Sequence, residues 1–309
     1  MHYLLDGDPG HDDMLTIFLA AKHLDVVGFT TVSGNQSLEK TTINARKAVE
    51  LAGLTDLPIA KGLPRPLVNL PRYAPEIHGQ SGLDGVDLPD PTVPLSPLHA
   101  VDFIIEASHR YGDELVYIPT GPLTNLAAAL EKDPGLAGRL RVVLMGGALS
   151  VSGNVSPWAE ANISQDPDAA DTVFRSGVST TMIGLDVTLQ TLLTYEHTRR
   201  WREPGTPAGT FLADMTDYYI RAYETTAPGL GGCGLHDPLA VGVAIDPSLV
   251  TAFPINLQVD LDGPTRGRTI GDVNRLNDPR KTSRVALGVD VDRFLETFMD
   301  RVTRLVRAD

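Results

Sequence analysis

The stretch YLLDGDPGHDDMLTIFLAAKHL, residues 3–24, decides the fold class. Tyr3 to Leu5 is a short apolar run that reads as a buried strand. A polar turn rich in Asp, Gly and Pro follows, and Asp12 to Leu24 then has the apolar spacing of a helix whose first-turn acids suit the positive end of its dipole. Strand, turn and helix form the unit from which parallel sheets are built. Working outward, similar apolar runs stand at Val26 to Val32, Leu115 to Pro119, Arg141 to Met145 and Thr180 to Leu185. Helical stretches separate and follow them at Leu38 to Ala52, His99 to Tyr111, Leu123 to Lys132, Pro167 to Ser176, His236 to Ile245 and Val291 to Arg307. Asp166-Pro167 is a strong start signal, a capping side chain before a proline at the first helical position. The expectation is an α/β fold: a mostly parallel, Rossmann-like open sheet flanked by helices, one domain over residues 1–309 with long loops at its functional end.

Two segments break the rhythm. Residues 62–97 are rich in proline and enclose HGQSGLDG at 78–85, while residues 228–234 read PGLGGCG. Loops of this length in a compact domain are often lids or binding loops, and residues 73–85 and 224–235 are expected to close over a ligand. At 42% apolar and 21% charged residues, the 309-residue chain can bury a substantial core. Its 26 basic and 39 acidic residues sum to −13, which repels phosphate backbones and anionic lipid and argues against nucleic acid as a partner. No apolar stretch reaches the roughly 18 residues a membrane span requires. A lone cysteine, Cys233, forms no internal disulfide, and acids stand where a signal peptide would carry positive charge, so a cytoplasmic protein is expected.

The acidic turn carries the chemistry. Asp6, Asp8, Asp12 and Asp13 place four carboxylates within eight residues at the exit of the first strand, the end of an open α/β sheet where ligands sit. Crowded like charges raise one another's pKa and destabilise the fold unless a cation neutralises them. A hard metal with oxygen ligands, calcium or magnesium rather than zinc, is the economical explanation. An EF-hand loop is excluded, because Gly10 and His11 occupy the places of its fifth-position oxygen ligand and sixth-position glycine. Asp6-x-Asp8 also fits a haloacid dehalogenase-like phosphatase, although Gly10 stands where those enzymes usually carry threonine or valine. The whole of Asp6 to Asp13 resembles the Asp-x-Asp-Pro-Gly-x-Asp-Asp signature of the nucleoside hydrolases, of the inosine-uridine preferring and ribosylpyrimidine types.

Further segments in the expected order extend that resemblance over residues 4 to about 300: Val32 to Gln36, Thr120 to Asn125, Met145 to Gly147, Gly153 to Pro157, Glu160 to Asn162 and Leu235 to Ala240. The resemblance implies Ca²⁺-dependent hydrolysis of the N-glycosidic bond of ribonucleosides, through an oxocarbenium-like sugar. Such a site must fix ribose, activate water on one face and protonate the departing base on the other. By the same resemblance, Asp8, Asp13, the backbone carbonyl of Thr120 and Asp237 hold the Ca²⁺, and Asp8 is the general base. Asp12, Asn35 and Asn162 surround the 2′- and 3′-hydroxyls, and Asn154 with Glu160 the 5′-hydroxyl. His236 is the expected leaving-group acid and His78 a base contact, while Asp6 orients the metal ligands from behind. A homo-oligomer, dimer or tetramer, is also implied. Ala161 departs from the aromatic residue expected between Glu160 and Asn162, and neither Trp158 nor Trp201 aligns with a purine-stacking sandwich. Tyr219 and Tyr223, one helical turn apart, could face the base or the core. The base preference is expected to be broad or pyrimidine-leaning; a sugar- or nucleoside-binding protein without catalysis is the non-enzymatic alternative.

Overall fold

The computed structural model describes residues 1–21 and 23–307. In chain order its strands are β1 His2–Gly7, β2 Val26–Thr31, β3 Ile59–Lys61, β4 Leu115–Pro119, β5 Arg141–Met145, β6 Ser179–Ile183, β7 Leu192–Leu193, β8 Cys233–Gly234, β9 Val250–Ile255, β10 Leu257–Val259, β11 Thr269–Gly271 and β12 Ser283–Val289. Eight of them make one sheet in the order β3-β2-β1-β4-β5-β6-β12-β9. Every neighbouring pair runs parallel except β12 with β9. The strand order reverses at β1, between β2 and β4, which places a switch point beside the acidic turn.

The two faces of the sheet are covered by different helices. On one lie His11–Ala21, Leu38–Leu51, His236–Ile245 and Val291–Arg307, packed around Met14, Ile17, Val49, Leu239 and Phe298. On the other, Ala100–Tyr111, Thr124–Lys132 and Pro167–Arg175 bury Ile104, Leu126 and Phe174. Consecutive strand residues point to opposite faces, so Leu4 joins the second layer and Leu5 the first. This is why a run with no polar alternation becomes a central strand.

Each anticipated helix and strand is present, with ends shifted by a few residues at most: the first helix, expected over 12–24, spans His11–Ala21. The sequence reading omitted β3, β9, β12 and the helices Tyr195–Arg202 and Pro207–Thr226. β9 alternates half-buried and exposed residues and contains Pro254, features of an edge strand whose pattern is weak. The proline-rich segment is not wholly irregular, since Pro75–His78 forms one helical turn. Among the described residues no helix is long and apolar enough to cross a membrane.

Candidate active site

Four strand ends converge on one cleft. Asp8, Asp12 and Asp13 leave β1, Asn35 follows β2, Thr120 follows β4, and Asn154, Glu160 and Asn162 lie on the segment after β5. The helix His236–Ile245 brings His236 and Asp237 from across the chain. The cleft holds about 350 Å³ and is lined by Asp12, Asn35, His78, Thr120, Asn154, Glu160, Asn162, Tyr219, Tyr223, His236 and Asp237. The seven substrate or leaving-group residues expected from sequence therefore share one cavity with Thr120 and Asp237, whereas Asp6, Asp8 and Asp13 are buried and do not line it.

Carboxylate oxygens of Asp12, Asp13 and Asp237 fall within 4.8 Å of one another. Asp12 is thus the carboxylate that joins Asp13 and Asp237 in the tightest group, whereas the sequence reading gave it to ribose alone. Asp8 stands beside them with Oδ2 accepting from the Asn35 amide at 2.5 Å. Its carboxylate is wedged between two glycines. A Cβ on Gly34 would sit 1.9 Å from Oδ2 and one on Gly121 2.5 Å from Oδ1, so close approach of backbone requires both to lack a side chain. Asp13 accepts from Thr120 Oγ1 at 2.9 Å and from the Gly10 amide at 3.1 Å. Asp6 is fully buried and accepts from Thr30 Oγ1 at 2.5 Å and Asn125 Nδ2 at 2.7 Å, which fixes the turn from below.

Burial, reinforced by mutual repulsion, drives these acids upward. Asp13 is pushed to about 8, by desolvation first and the Asp12 charge second. Asp12 rises to about 6 through burial, and Asp8 and Asp237 stand well above the ordinary carboxylate range for the same first cause. Among the described residues no lysine or arginine pairs with any of the four, and Oδ1 of Asp8 and of Asp12 are buried without a hydrogen-bond partner. Unpartnered anionic oxygens cost several kcal/mol each in such surroundings. An all-oxygen donor set with spare buried lone pairs fits a hard divalent cation.

The residues expected to face ribose are braced by backbone. Asn162 Nδ2 donates to the carbonyls of Thr120 at 2.8 Å and Met145 at 3.2 Å, which leaves its Oδ1 free. Glu160 caps the short helix Ala161–Gln165, accepting from the amides of Asn162, Ile163 and Gly147. Asn154 accepts from the Ala161 amide at 3.0 Å.

The opposite wall is built differently. His236 Nδ1 lies 2.8 Å from Thr188 Oγ1 and its Nε2 2.6 Å from the Tyr223 hydroxyl. Tyr223 and Tyr219 hydroxyls are 3.5 Å apart, and Tyr219 donates to Asp12 Oδ2 at 3.2 Å. A line of proton-carrying groups thus joins Thr188, His236, Tyr223, Tyr219 and Asp12. Burial lowers His236 to about 4, so its ring is neutral at pH 7. Burial raises both tyrosines, which therefore remain donors. Sequence reasoning paired Tyr219 with Tyr223 on one helix face without giving them a role, and it missed Thr188.

The loop expected to close as a lid is tied down at one end. Gln36 Nε2 donates to the Gly79 carbonyl, Asn44 Nδ2 to that of Ser81, and His11 Nε2 reaches that of Asp84. In this conformation these contacts join residues 79–84 to the body at the carbonyls of Gly79, Ser81 and Asp84.

Comparison with known proteins gives a consistent picture. A family model described as inosine-uridine preferring nucleoside hydrolase matches residues 3–296. The pyrimidine-specific ribonucleoside hydrolase RihA of Escherichia coli K12 is 37% identical over 303 residues, 97% of each chain. A solved purine-preferring ribonucleoside hydrolase from Gardnerella vaginalis is 54% identical, with a TM-score of 0.97 over 99% of both chains. A plant nucleoside hydrolase, PpNRh1, is 32% identical with a TM-score of 0.89 over 98% of both.

Proposed function

Since the chain belongs to the inosine-uridine preferring nucleoside hydrolase family, we propose that it cleaves the N-glycosidic bond of ribonucleosides to free base and ribose, with Ca²⁺ as its metal. The observation that carries the reading is the pairing, across one cleft, of unpartnered buried carboxylates with a tyrosine–histidine chain. Asp8, Asp13, Asp237 and the Thr120 carbonyl hold the cation, with Asp12 at its edge. When bound, the cation neutralises these acids and polarises water and ribose hydroxyls.

The chain's own groups do the rest. Asp8 offers Oδ1 as general base, held by the Asn35 amide at the other oxygen. Asp12, Asn35 and Asn162 bind the 2′- and 3′-hydroxyls; Asn154 and Glu160 hold the 5′ end. A neutral His236 is no reservoir of a spare proton at pH 7, so the acid is the hydrogen-bonded pair: Tyr223 gives its hydroxyl proton toward the base and His236 steadies the phenol through Nε2. His78 and Tyr219 contact the base from the same side. Tyr219 donates to Asp12 Oδ2 and so holds that carboxylate beside the sugar, where positive charge develops.

Base tolerance is broad and includes purines. Ala161 leaves room where an aromatic side chain was expected, and the two relatives with stated preferences lie on opposite sides, one pyrimidine-specific and one purine-preferring. A cytoplasmic homo-oligomer is the fitting context: the one cysteine is a buried free thiol, and Phe253, Val273 and Leu276 are exposed apolar residues of the kind subunit contacts cover. Ribose release from uridine, cytidine, inosine and guanosine, beside phosphate release from p-nitrophenyl phosphate, tests the reading. Phosphate without ribose would overturn it in favour of a phosphatase, and tight nucleoside binding without release in favour of a binding protein.

A further inference from the structure

His11, one of the two unspecified positions of the acidic octet, is fully buried and stands outside the cavity lining. Its backbone N–H and its Nδ1 both meet one atom, Nδ1 of His78, at 3.3 and 3.2 Å. Its Nε2 lies 2.9 Å from the carbonyl oxygen of Asp84. A carbonyl accepts and never donates, so Nε2 of His11 bears the hydrogen, its Nδ1 keeps a lone pair that accepts from Nδ1–H of His78, and in that tautomer the backbone N–H only lies near the same nitrogen; the ring is thus held between the two ends of the 78–84 loop. The same ring stacks on Tyr218 at 5.1 Å and 10° and on Tyr219 at 5.5 Å and 5°. His78, in turn, lies flat over Gly10, where a Cβ would come within 2.5 Å of its Nδ1. With Nδ1 of His78 taken up by His11, Nε2 is the ring nitrogen left for the cleft.

We propose that His11 is a positioning residue for the base side of the site: it sets the orientation of the His78 ring and couples the 78–84 loop to the tyrosine helix Pro207–Thr226. The proposal rests on the hydrolase reading above. It predicts that replacing His11 damages handling of the base while leaving the cation and the ribose untouched, although His11 directly precedes Asp12 and Asp13.

The experiment is a double-mutant cycle in the Ca²⁺-loaded full chain. It uses wild type, His11→Leu, His78→Ala and the double variant, and reads kcat/KM for uridine and inosine, Ca²⁺ affinity by calorimetry and inhibition by free ribose. Loss of a group that orients a working side chain typically costs 10- to 100-fold, so His11→Leu should lower kcat/KM by about that factor with Ca²⁺ and ribose affinities unchanged. The double variant should be no worse than His78→Ala, because the contact has already gone. Multiplicative losses in the cycle, or Ca²⁺ affinity falling in step with activity, would overturn the proposal. His11→Gln guards against misfolding: it keeps a donor for Asp84 and gives up the contact at Nδ1, so it should repeat the loss, and full activity would overturn the proposal. His11→Asn, which retains an acceptor at the Nδ1 position, should recover much of it. Wild-type protein that releases no ribose from any nucleoside would defeat the hydrolase reading itself, an outcome separate from a failed cycle in an active enzyme.

Discussion

The two walls of the cleft are held by different kinds of contact. On the wall proposed to take ribose, Asp8, Asp13, Glu160 and Asn162 are bonded to backbone amides and carbonyls at strand ends and helix starts. On the wall proposed to take the base, His236, Tyr223, Tyr219, His78 and His11 are bonded chiefly to one another's side chains. Backbone is fixed by the sheet, so the first wall can change only if the fold does. Side-chain networks depend on each member, so one substitution re-aims the rest. The relatives' stated preferences diverge, purine for the Gardnerella vaginalis enzyme and pyrimidine for RihA, as a wall open to single substitutions would allow.

The largest expected effect lies on the backbone-held wall. Asp8→Ala and Asp13→Ala should each abolish tight Ca²⁺ binding in calorimetry and lower kcat/KM by about four orders of magnitude or more, the scale on which groups acting as a unit fail. Unchanged Ca²⁺ affinity in both would break the assignment. Next comes the proton-carrying wall. His236→Ala should slow inosine and uridine by about 10² to 10⁴ while scarcely slowing p-nitrophenyl riboside, whose leaving group departs unprotonated; Tyr223→Phe should follow in the same direction. Equal losses on both substrates would reduce the pair to shaping the site.

A smaller effect concerns stability without metal. Asp12 and Asp13 carry folded-state values raised to about 6 and about 8, above those of the unfolded chain. Raised acids stabilise the fold at low pH and lose that contribution as pH climbs through the folded values. The Tm of chelator-treated protein should therefore fall from about pH 4, the unfolded carboxylate value, to about pH 8, and millimolar Ca²⁺ should flatten the fall. A Tm that rises over that interval would show that the acids are not buried together as described. The smallest effect is on selectivity: Ala161→Tyr should lower kcat/KM for inosine relative to uridine by roughly tenfold, within the range pocket-size changes give. An unaltered ratio would place base selection wholly on the opposite wall.

Legibility in the sequence follows the same division. The strand-end carboxylates and the central strands could be read because they are local: one octet supplies four acids, and a continuous apolar run suffices for a strand buried on both faces. Asp12 and Tyr219 are 207 residues apart, and His236 and Thr188 are 48 apart, so no spacing in the chain announces those bonds. The tyrosines were visible as a pair one turn apart, yet that pattern fits a core-facing stripe equally well. β9 and β12 escaped notice because an edge strand with alternating exposure and its partner carrying Gly288 lack the unbroken apolar run of β1 or β4. His11 gave no signal beyond its place between Gly10 and Asp12; its role depends on a loop that begins more than sixty residues later.

On the proposed hydrolase reading, the bracing of Asn162 also bears on which sugars the cleft would admit. Both hydrogens of its amide are spent on the carbonyls of Thr120 and Met145, and the atoms around it with capacity to spare are carboxylate oxygens. Around Asn162 the cleft is therefore rich in lone pairs, and the amide hydrogens left for a sugar belong to Asn154 and Asn35. A ribofuranose enters by giving protons from its hydroxyls. Fluorine in place of a hydroxyl has none to give, and an O-methyl group presents carbon to an oxygen lined wall, so such sugars meet the same scaffold as outsiders.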